Sequence, residues 1–476
     1  MRKRFLAMLL CLCMVVTLLP TTAFASGTDT GKAIQLVNSG TAANISGGQA
    51  GSIYFGTYQQ SHVAWGRYNI DPIKWRVLSN ADGKLFLLSD QTLDAFKYHS
   101  NLESVTWGTS TMRSWLNGYD ASSNTGGNDG MDYSTDNFVD TAFSEKEQGS
   151  IFTTTVINAD NPSYSTEGGI DTRDKVFLLS LAEATNTAYG FTDSNSDTDT
   201  RKATNTAYVA NGGKSGTNQM RGAGVADRWW LRSPGDDAHD AALVLGKGSV
   251  ADSGAYVSNA YGVRPAFNLN LNSVLFTSAA AGGKNGTLGT VSEIPTTTTS
   301  EWKLTLKDSS RNFAVTETAA TAPPGGTVTL NYTGATTGEN EYLSVMIVNS
   351  TGAATHYGRV TQPANESGEV DVTIPAGLAD GSYTLKVFNE QYNGSANDDT
   401  KKTDYASAFD EVALTVGNTP APIDASVTPT TANYDKYTAT SGLTFTLSPG
   451  SYSLSAIKNG ETALTTGMSA RRLAVP

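Results

Sequence analysis

Apolar and polar positions follow three distinct rhythms along this chain. From Phe5 to Leu19 the residues are almost all apolar, after the basic cluster Arg2-Lys3-Arg4 and before Pro20 and the small-residue site Ala23-Phe24-Ala25. A basic start, an apolar core and an A-x-A site in that order predict a secretory signal peptide over residues 1–25, cleaved after Ala25. A membrane-spanning helix needs about 20 apolar residues with suitable flanks; this run is shorter and ends in a processing site. From Trp302 to Val416 the rhythm changes to strict alternation: Val328, Leu330, Tyr332; Leu343, Val345, Ile347; Val370, Val372, Ile374; Tyr383, Leu385, Val387; Val412, Leu414, Val416. Period two predicts strands with one buried and one wet face. About seven such strands in roughly 115 residues, separated by turn signals such as Pro323-Pro324-Gly325-Gly326, predict an all-β immunoglobulin-like sandwich. The polar stretch from Asn389 to Asp404 is too long for a tight hairpin and is expected as an exposed loop.

The third rhythm, in the first half, is mixed. Ile53-Tyr54-Phe55, Trp75-Arg76-Val77-Leu78 and Leu85-Phe86-Leu87-Leu88-Ser89 read as strands, whereas Met112-Arg113-Ser114-Trp115-Leu116 and Leu181-Ala182-Glu183-Ala184 read as short helices. Long Gly, Asn, Asp, Ser and Thr stretches between them lack periodicity, so an α+β domain with irregular loops held by aromatic residues is expected. Punctuation then gives the organisation: a flexible segment over 26–49, the α+β domain over 50–280, a Thr/Gly-rich linker over 281–300, the sandwich over 301–417, a second linker over 418–425 and a partial β domain over 426–476.

Composition narrows the chemistry. The two cysteines, Cys11 and Cys13, both fall in the leader, so the processed chain is left without disulfides and without a cysteine nucleophile or ligand. Removing Arg2, Lys3 and Arg4 from 33 basic residues leaves 30 against 45 acidic ones, a net charge of −15, a poor match for nucleic acid or anionic lipid. No later apolar run is long enough to span a bilayer.

Catalytic patterns are scarce. His62, His99, His239 and His356 are scattered without metal-ligand spacing, and neither a G-x-S-x-G elbow nor a P-loop is present. Glu103, Glu145, Glu147, Glu167 and Glu183 are candidates for a glycosidase acid pair only by existing, because the separation that chemistry needs is not encoded in spacing. Hard oxygen ligands cluster in Asp236-Asp237-Ala238-His239-Asp240 and in Asn128-Asp129-Gly130-Met131-Asp132; Asp236, Asp237 and Asp240 are the candidate calcium ligands, with solvated turns as the ordinary alternative. Trp229, Trp230, Arg232 and Arg264 are the most distinctive residues, joined by Asp236 and Asp237 as a candidate ligand-binding set. In one reading an indole stacks on a sugar's C–H face while Arg and Asp bond its hydroxyls; in the other, the tryptophans fill the core and Arg264 braces a loop through carbonyls.

Two family resemblances sit on this pattern. Pro72-Ile73-Lys74-Trp75-Arg76-Val77-Leu78, the run from Trp107 to Asn117, Ala142-Phe143-Ser144, Val176-Phe177-Leu178-Leu179-Ser180, Trp229-Trp230-Leu231-Arg232-Ser233-Pro234-Gly235 and Gly262-Val263-Arg264-Pro265-Ala266-Phe267 together resemble an uncharacterised family of secreted proteins of Gram-positive gut bacteria, domain of unknown function six-two-seven-three. The resemblance covers about Gly51 to Leu271. Its closing pattern looks like the end of C-type-lectin-like and sulfatase-modifying-factor-like domains, which implies a small twisted sheet supporting long loops with a binding face. The cysteine chemistry of the sulfatase-modifying enzymes has no counterpart in the processed chain. In the tail, the runs from Val427 to Tyr437 and from Leu454 to Leu464 resemble the second type of cellulosomal X module, which implies a carbohydrate-binding-like sandwich; the motif that follows in that family is missing after Gly467, so the tail is expected to be a truncated module.

The sequence thus predicts a secreted or cell-surface, non-catalytic modular protein whose partner is glycan or cell-wall material. A protein-binding adhesin and a polysaccharide hydrolase using paired carboxylates are the alternatives.

Overall fold

Alternation produces the strands of the second half where the pattern places them. Thr327–Thr333 buries Val328, Leu330 and Tyr332 and exposes the residues between them. It pairs with Gly368–Thr373, whose Val370 and Val372 point to the same core. Strands Glu341–Val348, Gly381–Gln391 and Asp410–Val416 close the opposite wall with Leu343, Val345, Ile347, Leu385, Val387, Val412 and Leu414. These positions were all legible as period two.

The computed structural model describes residues 31–37, 45–64, 66–119, 132–217, 220–284, 286–393 and 401–417, with short strands at Ser426–Thr428, Thr444–Thr446, Lys458–Asn459 and Thr462–Ala463. The predicted leader, the linker over 418–425, most of the expected X module and residues 128–131 of the second acidic loop lie outside the described residues. The protein is mostly β, with 43% strand and 11% helix. The helical share of the expected α+β domain is confined to short pieces, of which Thr111–Asn117 is the longest among the described residues. That helix begins at Ser110, whose side chain accepts the Arg113 N–H, and stops at Gly118 in the left-handed conformation.

Among the described residues the first half carries a two-stranded sheet, Thr154–Val156 with Thr172–Asp174, and two large ones. In one, Ser52–Ala64, Arg67–Ala81, Lys84–Ser89, Ala266–Asn270 and Val176–Phe177 follow one another in order. In the other, Val250–Tyr256, Asp240–Val244, Trp229–Pro234, Ala260–Val263 and Asp94–Lys97 do so. Ile53, Trp75, Val77, Leu87, Trp115, Phe143 and Phe267 share a core with Trp229 and Trp230 from the second sheet.

The boundary between the halves is not a linker. Strand Glu301–Lys307 pairs in parallel with Ser52–Ala64, antiparallel with Val274–Ala279 and in parallel with Asp404–Ala406, so one sheet runs through both halves. The stretch 281–300, expected to be flexible, is held where it is described. Val291 and Ile294 are buried, Ser292–Glu293 pairs with Ala354–Thr361, and the Ala33 N–H donates to Pro295 O at 2.8 Å. Ile34–Leu36 of the expected flexible segment is likewise strand-paired, with Ile34 opposite Ser278. The reason is visible in the neighbouring strands. Alternation puts Ser344, Met346 and Phe388 on the face away from the sandwich core, where a wet face is expected, yet they are buried, as is Glu390. They face the first half, and Met346 and Phe388 join its core. The ends of the expected exposed loop follow suit: Asn389, Glu390, Tyr392, Thr403 and Asp404 are buried. Among the described residues, no helix is long and apolar enough to cross a membrane.

Candidate cation and ligand site

The loop Gly235–His239 joins Trp229–Pro234 to Asp240–Val244, and its course is fixed by close backbone contacts. The Gly235 N–H donates to Asp240 O at 2.7 Å, and the Asp236 N–H to Ser253 O at 2.9 Å. A Cβ on Gly235 would lie 2.4 Å from Ser253 O, so only glycine passes there. Asn161 clamps the loop from the other side, its amide donating to Pro234 O, Gly235 O and Asp252 O at 2.9, 3.1 and 2.8 Å.

This backbone brings Asp236, Asp237 and Asp240 together, with one carboxylate oxygen from each within 4.8 Å of the others. Asp236 and Asp237 are exposed, whereas Asp240 is buried and its Oδ1 has no hydrogen-bond partner. Burial, followed by the hydrogen bond from Asp236 and the charges of Asp237 and Asp236, pushes the Asp240 carboxyl up to about 6; nearby His239 acts in the opposite direction. Three acids converge on one point with only His239, 3.3 Å from Asp237, as a neighbouring basic group, so they repel one another, and a hard divalent cation relieves that repulsion. Directly across the strand pair from Asp240 stands Tyr256, which is 57% exposed.

The remaining candidate residues are placed differently. Trp229 and Trp230 have no solvent-accessible surface; their indole N–H groups donate to Arg201 O and Phe96 O, both at 3.1 Å. Neither ring presents a face to solvent. Arg264 is fully buried, donates through Nε to Ser89 O at 2.8 Å, and lies 4.9 Å from the Trp229 ring centre. It braces a loop by bonding carbonyls, the second of the two readings. Arg232 is also buried, donating to Leu178 O at 2.7 Å and Ile157 O at 3.1 Å and pairing with Glu183. Its guanidinium edges a small cleft of about 200 Å³ lined by Lys84, Phe86, Tyr189 and Asn268. Of the candidate set, then, the structure groups Asp236, Asp237 and Asp240 and separates them by role from the buried Trp and Arg residues.

Three of the five candidate glutamates have structural partners. Glu147 and Glu183 close capping boxes with Ser144 and Ser180, and Glu103 contacts buried His99 at 2.8 Å. Asp132, the described end of the second acidic loop, accepts the Ser134 N–H. Three contributors were missed from sequence. Asn161 and Tyr256 have no local signal, because each acts through a partner distant in the chain. Arg201 is buried and donates to the carbonyls of Ala184, Thr192, Ser194, Ser196 and Gly248, tying the loop before it to the turn at Gly248.

The arrangement defines a predominantly β protein in which a rigid two-tryptophan hairpin carries a carboxylate-lined surface loop. Residues 82–271 match the family described as Domain of unknown function (DUF6273). The matched span starts after the Pro72–Leu78 motif and ends at Leu271, just past the Arg264 brace. No curated protein matches the chain.

Proposed function

We propose that this chain is a secreted or cell-surface, non-catalytic modular protein whose first half recognises glycan or cell-wall material at the Asp236, Asp237 and Asp240 loop, with calcium as the bound cation. The observation that carries the reading is Asp240: a buried carboxylate with an unpartnered oxygen, facing two further carboxylates, beside an exposed tyrosine. Hydroxyl pairs on a sugar complete the oxygen shell of a calcium ion, and an aromatic ring receives the sugar's apolar face. In this reading Tyr256 takes the sugar-stacking role that was one of the two readings open to Trp229 and Trp230. The loop-on-sheet construction is the lectin-like feature, and the strands of residues 301–417 form an immunoglobulin-like module that presents the first half away from the cell surface. The X-module-like tail is an auxiliary glycan binder.

Calorimetric titration of the full chain with calcium, followed by a glycan array with and without chelator, tests this. Saturable heat that disappears in Asp240→Asn, and array binding lost both with chelator and in Tyr256→Ala, are expected. Absence of heat together with a silent array removes the proposal. Release of reducing sugar from a polysaccharide would favour the hydrolase alternative, and capture of a wall protein without competition by sugar would favour the adhesin.

A further inference from the structure

The seam between the two halves holds a group of charged side chains with no access to solvent. Lys284, Lys303, Glu390 and Asp404 all have side chains with no exposed surface. Lys284 Nζ lies 2.5 Å from Glu390 Oε2 and 2.9 Å from Asp404 Oδ2, and Lys303 Nζ lies 3.1 Å from the same Asp404 oxygen. Phe276, Tyr357 and Tyr392 wall the Lys284 ammonium, their ring centres 4.9, 5.6 and 5.3 Å away. Ion pairs buried this deeply are expensive to desolvate, and an apolar replacement of the same volume often serves stability as well or better. A dry lysine pressed between two carboxylates therefore invites a chemical reading as well as a structural one.

We propose that Lys284 and Asp404 condense into an intramolecular amide, with Glu390 as the base, so that the two halves of the protein are covalently stapled at their shared sheet. Glu390 is held for this role: its Oε1 accepts the hydroxyls of Ser344, at 2.7 Å, and Tyr357, while Oε2 faces the lysine. Asp404 is held as the electrophile. Its Oδ1 accepts the Asn393 backbone N–H at 2.8 Å, and its Oδ2 faces Lys303. Both donors sit where negative charge grows when the carboxyl carbon becomes tetrahedral.

The step balances within these groups. Lys284 passes one ammonium proton to Glu390, and in a dry site the neutral amine and acid so formed escape the penalty of two buried charges. The free amine attacks Asp404 Cγ, which lies no more than one C–O bond length beyond the oxygen at 2.9 Å. The new C–N bond forms, a C–O bond of Asp404 breaks, and that oxygen leaves as water carrying two of the three original ammonium protons. The third remains on the amide nitrogen. No oxidant, metal or cofactor enters. The product leaves one buried lysine, Lys303, and one buried carboxylate, Glu390, so the charges still cancel, and the packed positions of Lys284 and Asp404 supply the proximity that the condensation needs.

The test is the mass of the purified, folded full chain after denaturation, with peptide mapping. The expected result is a chain lighter by one water than its sequence dictates and a branched peptide joining Lys284 to Asp404; Asp404→Ala and Lys284→Arg each keep the full mass. Asp404→Asn, which expels ammonia in place of water, reaches the same final mass as the unaltered protein. Recovery of Lys284 and Asp404 only in linear, unmodified peptides from the unaltered chain would overturn the proposal and leave an ordinary ion-pair cluster. That readout stands even where a variant fails to fold. A branch at Lys303 in place of Lys284 would equally overturn the assignment.

Discussion

Trp302 lies directly opposite Ile53 across a parallel strand pair, and both side chains are buried. Almost 250 residues apart in sequence, they mark where the second half of the chain supplies a strand to the first. The same strand adds Leu304 and Leu306 to the first half's core. Neither half is closed without the other.

Truncation at the apparent linker is therefore expected to fail. A chain ending at residue 290 loses Trp302, Leu304 and Leu306 from the core, each worth about 1.5–3 kcal/mol of burial. It also exposes the edges of Ser52–Ala64 and Val274–Ala279. Expression of residues 26–290 beside residues 26–417 checks this: the shorter chain is expected to be insoluble or to melt well below the longer one.

Asp240 gives a pH signature with a definite sign. Its folded carboxyl titrates at about 6 against an ordinary value of 3.8, raised chiefly by burial. Because the folded state holds the proton more tightly than the unfolded state, stability falls as pH rises through the window from about 4 to about 6 and stays lower above it. Two units correspond to about 3 kcal/mol at most, less for the part of the loop that water reaches. Thermal melts of the calcium-free protein and of Asp240→Asn across that window are expected to diverge, the variant being the more stable near neutral pH. Asp94, also buried and raised to about 6, contributes a parallel slope to both proteins and cancels in the comparison. Parallel melting curves for the two proteins would contradict the assignment.

Arg201 is expected to be the most sensitive position outside the apolar core. Its guanidinium satisfies five carbonyls at a site with no solvent exposure. Arg201→Met strands several of them, at about 1–3 kcal/mol for each group left unsatisfied. Denaturant unfolding is expected to show a loss of more than 3 kcal/mol or no folded protein, whereas the exposed Arg221 changed in the same way leaves stability within about 0.5 kcal/mol.

Tyr256 separates binding from folding. Over half of its surface is exposed. Tyr256→Ala is expected to shift the melting temperature little while abolishing glycan-array signal. Unchanged array binding in this variant would remove the tyrosine from the recognition face.

Which parts of this were legible beforehand follows from how far each signal reaches along the chain. Helix Thr111–Asn117 could be read because its cap, apolar face and terminal glycine lie within nine residues of one another. The acidic trio could be read because a single loop carries all three carboxylates. The roles of Trp229 and Arg264 were left open by sequence, since an indole on a strand looks the same whether it faces a ligand or the carbonyl of Arg201. Asn161, Tyr256 and the Lys284 group had no sequence signal, because each depends on partners outside its own element, 16 residues away for Tyr256, 73 for Asn161 and 120 for Lys284.

The sequence by itself determined the five alternating strands Thr327–Thr333, Glu341–Val348, Gly368–Thr373, Gly381–Gln391 and Asp410–Val416 and the place of the acidic loop, because two-residue periodicity and turn chemistry are local. Tertiary structure alone decided that the face of Ser344, Met346, Phe388 and Glu390 is dry, that the stretch after Ala280 is not a linker, and that Lys284 meets Asp404. A strand with two buried faces keeps the alternation of one with a single buried face wherever its second face carries polar residues, and only the surface docked against it reveals the difference.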